Sequence, residues 1–211
     1  MRLFVGLDLP WETRQRLAML GGKGIPGAKW VPIENYHLTL RFVGEVQAHL
    51  AEEVDHALAA LRARRFTLEL SGVGTFAKGG RETALWAGVA KCAALDHLAG
   101  KVETALQRAG LPAERRRFAP HVTLARLDNA PHDKLAAFVQ ANNLFRAAPV
   151  EVEHFTLFSS QLGKEASVYT AEVEYPLQGA PTSLPWQSKP NMGMHSGQMP
   201  WVKVASECSA T

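Results

Sequence analysis

The chain has 211 residues, 46% of them hydrophobic, enough to bury the core of one domain and too apolar for a disordered protein. Its 23 Lys and Arg against 20 Asp and Glu leave a net charge of only +3, although arginines cluster at Arg62-Ala63-Arg64-Arg65 and at Arg115-Arg116-Arg117. Two cysteines, Cys92 and Cys208, give neither a disulfide framework nor metal-site spacing, and no stretch nears the roughly 20 apolar residues of a bilayer span. A soluble cytoplasmic protein without membrane association is expected.

Arg2 to Asp8 reads as a buried strand rather than a signal peptide, because Asp8 interrupts a short apolar run. Pro10 opens a helix through Leu20, stopped by Gly21-Gly22. Trp30 to Pro32 and Tyr36 to Gly44 follow as extended chain. Leu50, Val54, Leu58 and Leu61 then fall on one helical stripe. Phe66 to Leu70 alternates as a half-buried strand, and Lys78-Gly79-Gly80-Arg81 is a turn into a strand over Ala84 to Val89. Leu95, Leu98, Val102 and Leu106 mark a second amphipathic helix ending at Gly110. Phe118 to Leu127 is a strand, Pro131 opens a short helix, and Val150 to Phe158 and Val168 to Leu177 are long strands. This mixture predicts an α+β fold over residues 1–179, followed by a Pro-, Ser- and Gly-rich tail over 180–211 in which Trp186 and Trp201 are possible anchors.

One short pattern occurs twice. His37-Leu38-Thr39-Leu40 returns as His121-Val122-Thr123-Leu124, 84 residues on (121 minus 37). In a strand alternate side chains share a face, so each histidine sides with its threonine while the leucines and valine turn inward. Two such strands across a pseudo-symmetric groove would gather two imidazoles and two hydroxyls, an acid/base pair with donors for phosphate oxygens. The remaining histidines, His49, His56, His97, His132, His154 and His195, read as structural. Metal binding lacks a third ligand nearby, and a threonine nucleophile lacks an oriented base.

At these residues the sequence resembles the two-histidine phosphoesterases, and among them the RNA 2′,3′-cyclic phosphodiesterases first described as 2′-5′ RNA ligases. The resemblance runs from Arg2 to about Leu177. It rests on the opening Arg2-Leu3-Phe4-Val5-Gly6-Leu7-Asp8-Leu9-Pro10, the block His37 to Glu45, and Phe118-Ala119-Pro120-His121-Val122-Thr123-Leu124-Ala125-Arg126. It implies a bilobal α+β fold, two antiparallel sheets flanking a central cleft with helices outside, and an activity without metal, ATP or other cofactor. It also implies that His37 and His121 are the catalytic histidines, that Thr39 and Thr123 bind phosphate, and that Arg126 lines the nucleotide side.

Strand parity bears on the other candidates. Arg126, five residues after His121, needs a bulge to reach the site face, whereas Arg41, four after His37, shares that face in a regular strand. Phe42 and Phe4 are candidates to stack on a base. The expected reaction is hydrolysis of 2′,3′-cyclic phosphate ends of RNA or nucleotides to 2′-phosphomonoesters by a monomer. His121 is taken as base and His37 as acid, and the reverse step would be 2′-5′ ligation. A phosphodiesterase for another cyclic phosphate, such as a sugar or ADP-ribose derivative, and a catalytically silent RNA-binding module are the alternatives.

Overall fold

The computed structural model describes residues 1–21, 24–163 and 167–182. Strands β1 (Arg2–Asp8), β2 (Ala28–Trp30), β3 (His37–Glu45), β5 (Leu70–Lys78), β6 (Arg81–Val89), β7 (His121–Leu127), β9 (His154–Leu162) and β10 (Ser167–Pro176) make one large sheet. Its order is β10-β9-β1-β3-β7-β6-β5, with β2 beside β7. The second sheet holds β11 (Gln178–Thr182), β4 (Arg64–Leu68) and β8 (Val150–Val152), with β4 antiparallel to β8 and parallel to β11. The helices are α1 (Trp11–Ala18), α2 (Ala48–Ala59), α3 (Ala93–Arg108) and α4 (His132–Asn142). The expected α+β class is the observed one.

The large sheet falls into two halves of four strands, and the halves meet at β3 and β7. That seam is narrow: Leu38 opposite Val122 is the one registered pair across it. Both residues are fully buried, each contributing roughly 1.5–3 kcal/mol by leaving water. The middle of each repeated tetrapeptide is therefore what joins the halves.

The helical stripes account for the packing behind the sheet. Val54 and Leu58 of α2 are fully buried, with Leu50 and Leu61 partly so. On α3 the buried set is Leu95, Leu98, Ala99, Val102 and Leu106, packed toward β3 and β4. Gly110, at φ 97°, lets the chain turn back, and the Leu111 amide donates to the Leu106 carbonyl at 3.0 Å, closing the helix end. Lys78 and Arg81 pair across Gly79-Gly80, both at positive φ, which is the two-residue turn the sequence indicated.

Two stretches expected as single strands divide between the sheets. Phe66 to Leu70 breaks at Glu69, and Val150 to Phe158 breaks at Glu153. At both corners the carbonyl leaves its own ladder: Glu69 accepts from the Ala90 amide at 2.9 Å and Glu153 from the Leu177 amide at 2.7 Å. β11 carries the small sheet past Gly179 to Thr182, and the rest of the expected tail, including Trp186 and Trp201, lies outside the described residues.

Candidate active site

Both motif strands carry the same irregularity at the same place. On β3, Gly6 of β1 stands opposite Thr39 while its neighbour Val5 stands opposite Arg41, so Leu40 is an extra residue. On β7, Trp86 of β6 stands opposite Thr123 and Leu85 opposite Ala125, so Leu124 is extra. A bulge of this kind reverses the alternation beyond it. Leu124 and Ala125 are consequently both buried, and Arg126 turns out on the face of His121 and Thr123. This is the device that the parity of Arg126 requires.

The same bulge overturns the placement of Arg41. It turns inward with Leu40, toward α3, where its Nε donates to Glu103 at 2.5 Å and another guanidinium nitrogen donates to the Pro112 carbonyl at 2.7 Å. Only 11% of its side chain is exposed. Arg41 is thus a tie between β3 and the segment leading into β7, not a residue of the site face. Phe42 takes the outward place, 49% exposed, in the position on β3 that Arg126 holds on β7.

Each histidine is fixed by the backbone two residues before it. Nδ1 of His37 lies 2.8 Å from the Asn35 carbonyl, and Nδ1 of His121 lies 2.7 Å from the Ala119 carbonyl. A carbonyl only accepts, so Nδ1 carries the proton in both rings and Nε2 is left free for chemistry. The Thr39 hydroxyl sits 3.0 Å from Nε2 of His37. Asn35 is itself anchored, its side-chain amide donating to the Ser167 carbonyl at 2.6 Å.

Burial pushes the proton affinity of both imidazoles below the ordinary histidine value. For His37 the Asn35 carbonyl opposes this, the charges of Arg14 and His121 add to it, and Asp8 opposes it more weakly. For His121 the Ala119 carbonyl is the opposing influence.

The surroundings differ. The ring of His37 packs against Phe4 at 4.7 Å and Tyr169 at 5.1 Å between centroids, and Phe4 stacks on Phe158 at 5.0 Å. Phe4 is 3% exposed, so it supports His37 rather than meeting a base. The His121 ring meets the edge of Phe76 at 4.7 Å. Tyr169, Phe158 and Asn35 were not singled out from sequence. The first two arrive from strands more than 100 residues away, and Asn35 acts through its carbonyl, which any residue provides.

The sequence model of the 2′-5′ RNA ligase superfamily matches residues 16–164. The chain belongs to that superfamily. A superfamily relative from Aeropyrum pernix, named RNA 2′,3′-cyclic phosphodiesterase, is 36% identical over 69% of this chain and 84% of its own length. One of the same name from Escherichia coli K12 is 30% identical over 80% of this chain and 92% of its own. Among solved structures of the superfamily, Escherichia coli LigT complexed with 3′-AMP superposes with a TM-score of 0.70 at 28% identity, over 84% of this chain and 98% of that one. A protein from Thermus thermophilus gives 0.68 at 29% identity, over 85% and 99%.

Proposed function

We propose that this chain is an RNA 2′,3′-cyclic phosphodiesterase, opening the cyclic phosphate at the end of an RNA or on a nucleotide to leave a 2′-phosphomonoester. One observation carries the mechanism: two imidazoles at the seam of a pseudo-twofold sheet, each with Nδ1 committed to a carbonyl and a threonine two residues on, with Nε2 of His37 held only by the Thr39 hydroxyl. The name shared by the relatives favours this reading over the two alternatives considered from sequence.

Neutral His121 takes a proton from water as its oxygen attacks phosphorus. The bond from phosphorus to O3′ breaks as protonated His37 gives its proton to that oxygen, leaving the 2′-phosphate. In-line attack needs base and acid on opposite sides of phosphorus, which suits one histidine from each half. Thr39 and Thr123 donate to the phosphate oxygens as charge builds, and Arg126, on the same face and in no ion pair among the described residues, adds a cation. With a 5′-hydroxyl in place of water as the nucleophile, the same step forms the bond from O5′ to phosphorus as the bond to O3′ breaks, making a 2′-5′ linkage. The strained cyclic ester supplies the driving force, so ATP is not needed. Because both histidines come from one chain, a monomer suffices; we take its place of action to be the cytoplasm.

No described helix is long and apolar enough to cross a membrane. The test is product analysis: the purified chain, treated with chelator, should convert a 2′,3′-cyclic nucleotide into the 2′-phosphate. A 3′-phosphate product would reverse the leaving group, and restoration of lost activity only by added zinc or manganese would refute the acid/base scheme.

A further inference from the structure

A cavity of about 200 Å³ opens beside His37, between β9, β10 and the 3₁₀ turn Ile33–Asn35. It is continuous with the site already described, since His37 forms part of its wall, and Phe158 and Tyr169 give it aromatic sides. In register across the sheet, Thr39 of β3, Gly6 of β1, Thr156 of β9 and Glu174 of β10 form one row. Two strand spacings, about 10 Å, separate Thr39 from Thr156. That is the reach of one nucleoside from its phosphate. Gly6 lets the aromatic wall pack closely on this row: a Cβ there would meet the Leu38 carbonyl oxygen at 2.9 Å and the Phe158 and Phe4 rings at 3.5 and 3.6 Å.

Two features say what the cavity takes. Thr156 is 1% exposed, yet its hydroxyl has no hydrogen-bond partner. An unpaired buried hydroxyl is a cost that folding alone does not explain. The charge at the rim is negative: Arg14 is already bound to Asp8 and to the carbonyls of Leu9 and Glu34, while the carboxylates of Glu34 and Glu174 remain exposed. Such a rim repels a second phosphate and accepts N–H groups. The described acidic and histidine side chains form no group of three or more fit to hold a metal ion.

Resting on the phosphodiesterase reading above, we infer that this cavity is the base subsite for the terminal nucleoside, and that it selects a base whose Watson–Crick edge sets an amino group beside an unprotonated ring nitrogen, adenine or cytosine and not uracil or guanine. The amino group donates to Glu174, the Thr156 hydroxyl donates to the ring nitrogen, and Phe158 and Tyr169 flank the base. Uracil presents a carbonyl to Glu174 and an N–H to Thr156, leaving the carboxylate opposed by an acceptor.

The experiment compares kcat/KM for 2′,3′-cyclic AMP, CMP, UMP and GMP in the parent, Thr156→Val and Glu174→Gln, with binding of 2′-AMP and 2′-UMP measured by calorimetry. AMP and CMP should exceed UMP by about tenfold, mostly in KM, the scale of one charge-assisted hydrogen bond. Each substitution should collapse that ratio, and Thr156→Val should keep or raise the melting temperature because a methyl replaces an unpaired hydroxyl. Equal use of all four bases, or a ratio that survives both substitutions, overturns the subsite. If no cyclic nucleotide turned over while 2′-AMP still bound more tightly than 2′-UMP in a Thr156- and Glu174-dependent way, the reaction would be refuted and the subsite upheld. Equal binding in that circumstance would refute both.

Discussion

The two halves of the large sheet repeat a backbone but not its surroundings. His37 and His121 each hold their Nδ1 proton on the carbonyl two residues back, and each is followed by a bulge at the third residue on. Around that shared frame, His37 is enclosed by Phe4, Phe158 and Tyr169, bonded to Thr39 and exposed to the fields of Arg14 and Asp8, whereas His121 meets chiefly Phe76. The bulge carries the lesson furthest. It delivers Phe42 to the site face in one half and Arg126 in the other, an aromatic surface against a cation, from equivalent positions. The duplicated backbone aims equivalent positions; the side chains placed there, Phe42 and Arg126, differ in kind.

The largest effect should come from the shared frame. His37→Ala and His121→Ala should each lower turnover of a 2′,3′-cyclic nucleotide by about a hundredfold or more, the usual worth of a general acid or base, with folding intact by circular dichroism. A variant within a few-fold of the parent would break the equivalence of the two histidines.

Next come the arginines, where the halves differ. Arg126→Ala should raise KM by about tenfold with little change in melting temperature, since its guanidinium makes no ion pair among the described residues. Arg41→Met should do the opposite. Removing it leaves one oxygen of the partly buried Glu103 unpaired, the other still accepting from Gln107 and the Glu114 amide, at a cost of about 1–2 kcal/mol of stability by denaturant titration, with KM near that of the parent. A large KM effect from Arg41→Met would return that residue to the site.

A smaller effect concerns pH. Both imidazoles are pushed below their ordinary value near 6.5. The competent form has one ring neutral and one protonated, so kcat/KM should rise through the lower apparent pKa and fall through the upper, with its maximum below pH 6.5. The upper limb of kcat should lie higher, because a bound phosphodiester anion favours the imidazolium. A kcat/KM plateau above about pH 7.5 would contradict this. The smallest effect is expected from ending the chain at Thr182, which retains every strand described here and should leave turnover of a cyclic mononucleotide within a few-fold.

The sequence made the class of fold and the paired His-x-Thr strands legible because period-two alternation and a repeated tetrapeptide are local. Arg126 was legible too, as a residue needing a bulge. Arg41 was misplaced by the same parity argument, since a bulge is a property of two paired strands and β3 alone does not reveal that Val5 and Gly6 skip Leu40. The corners at Glu69 and Glu153 stayed hidden for a related reason: alternation continues through them while the pairing partner changes. Tyr169, Phe158, Thr156 and Glu174 come to line the cavity beside His37 through the order of strands, which no spacing along the chain encodes.

The most direct test of the paired mechanism is the double-mutant cycle of His37→Ala and His121→Ala, followed by initial rates on a 2′,3′-cyclic nucleotide. Groups that act in one step are not additive. The double variant should therefore be little slower than the poorer single one. Losses that multiply, so that two hundredfold effects become about ten-thousandfold, would show two independent contributions and contradict the concerted acid/base pair.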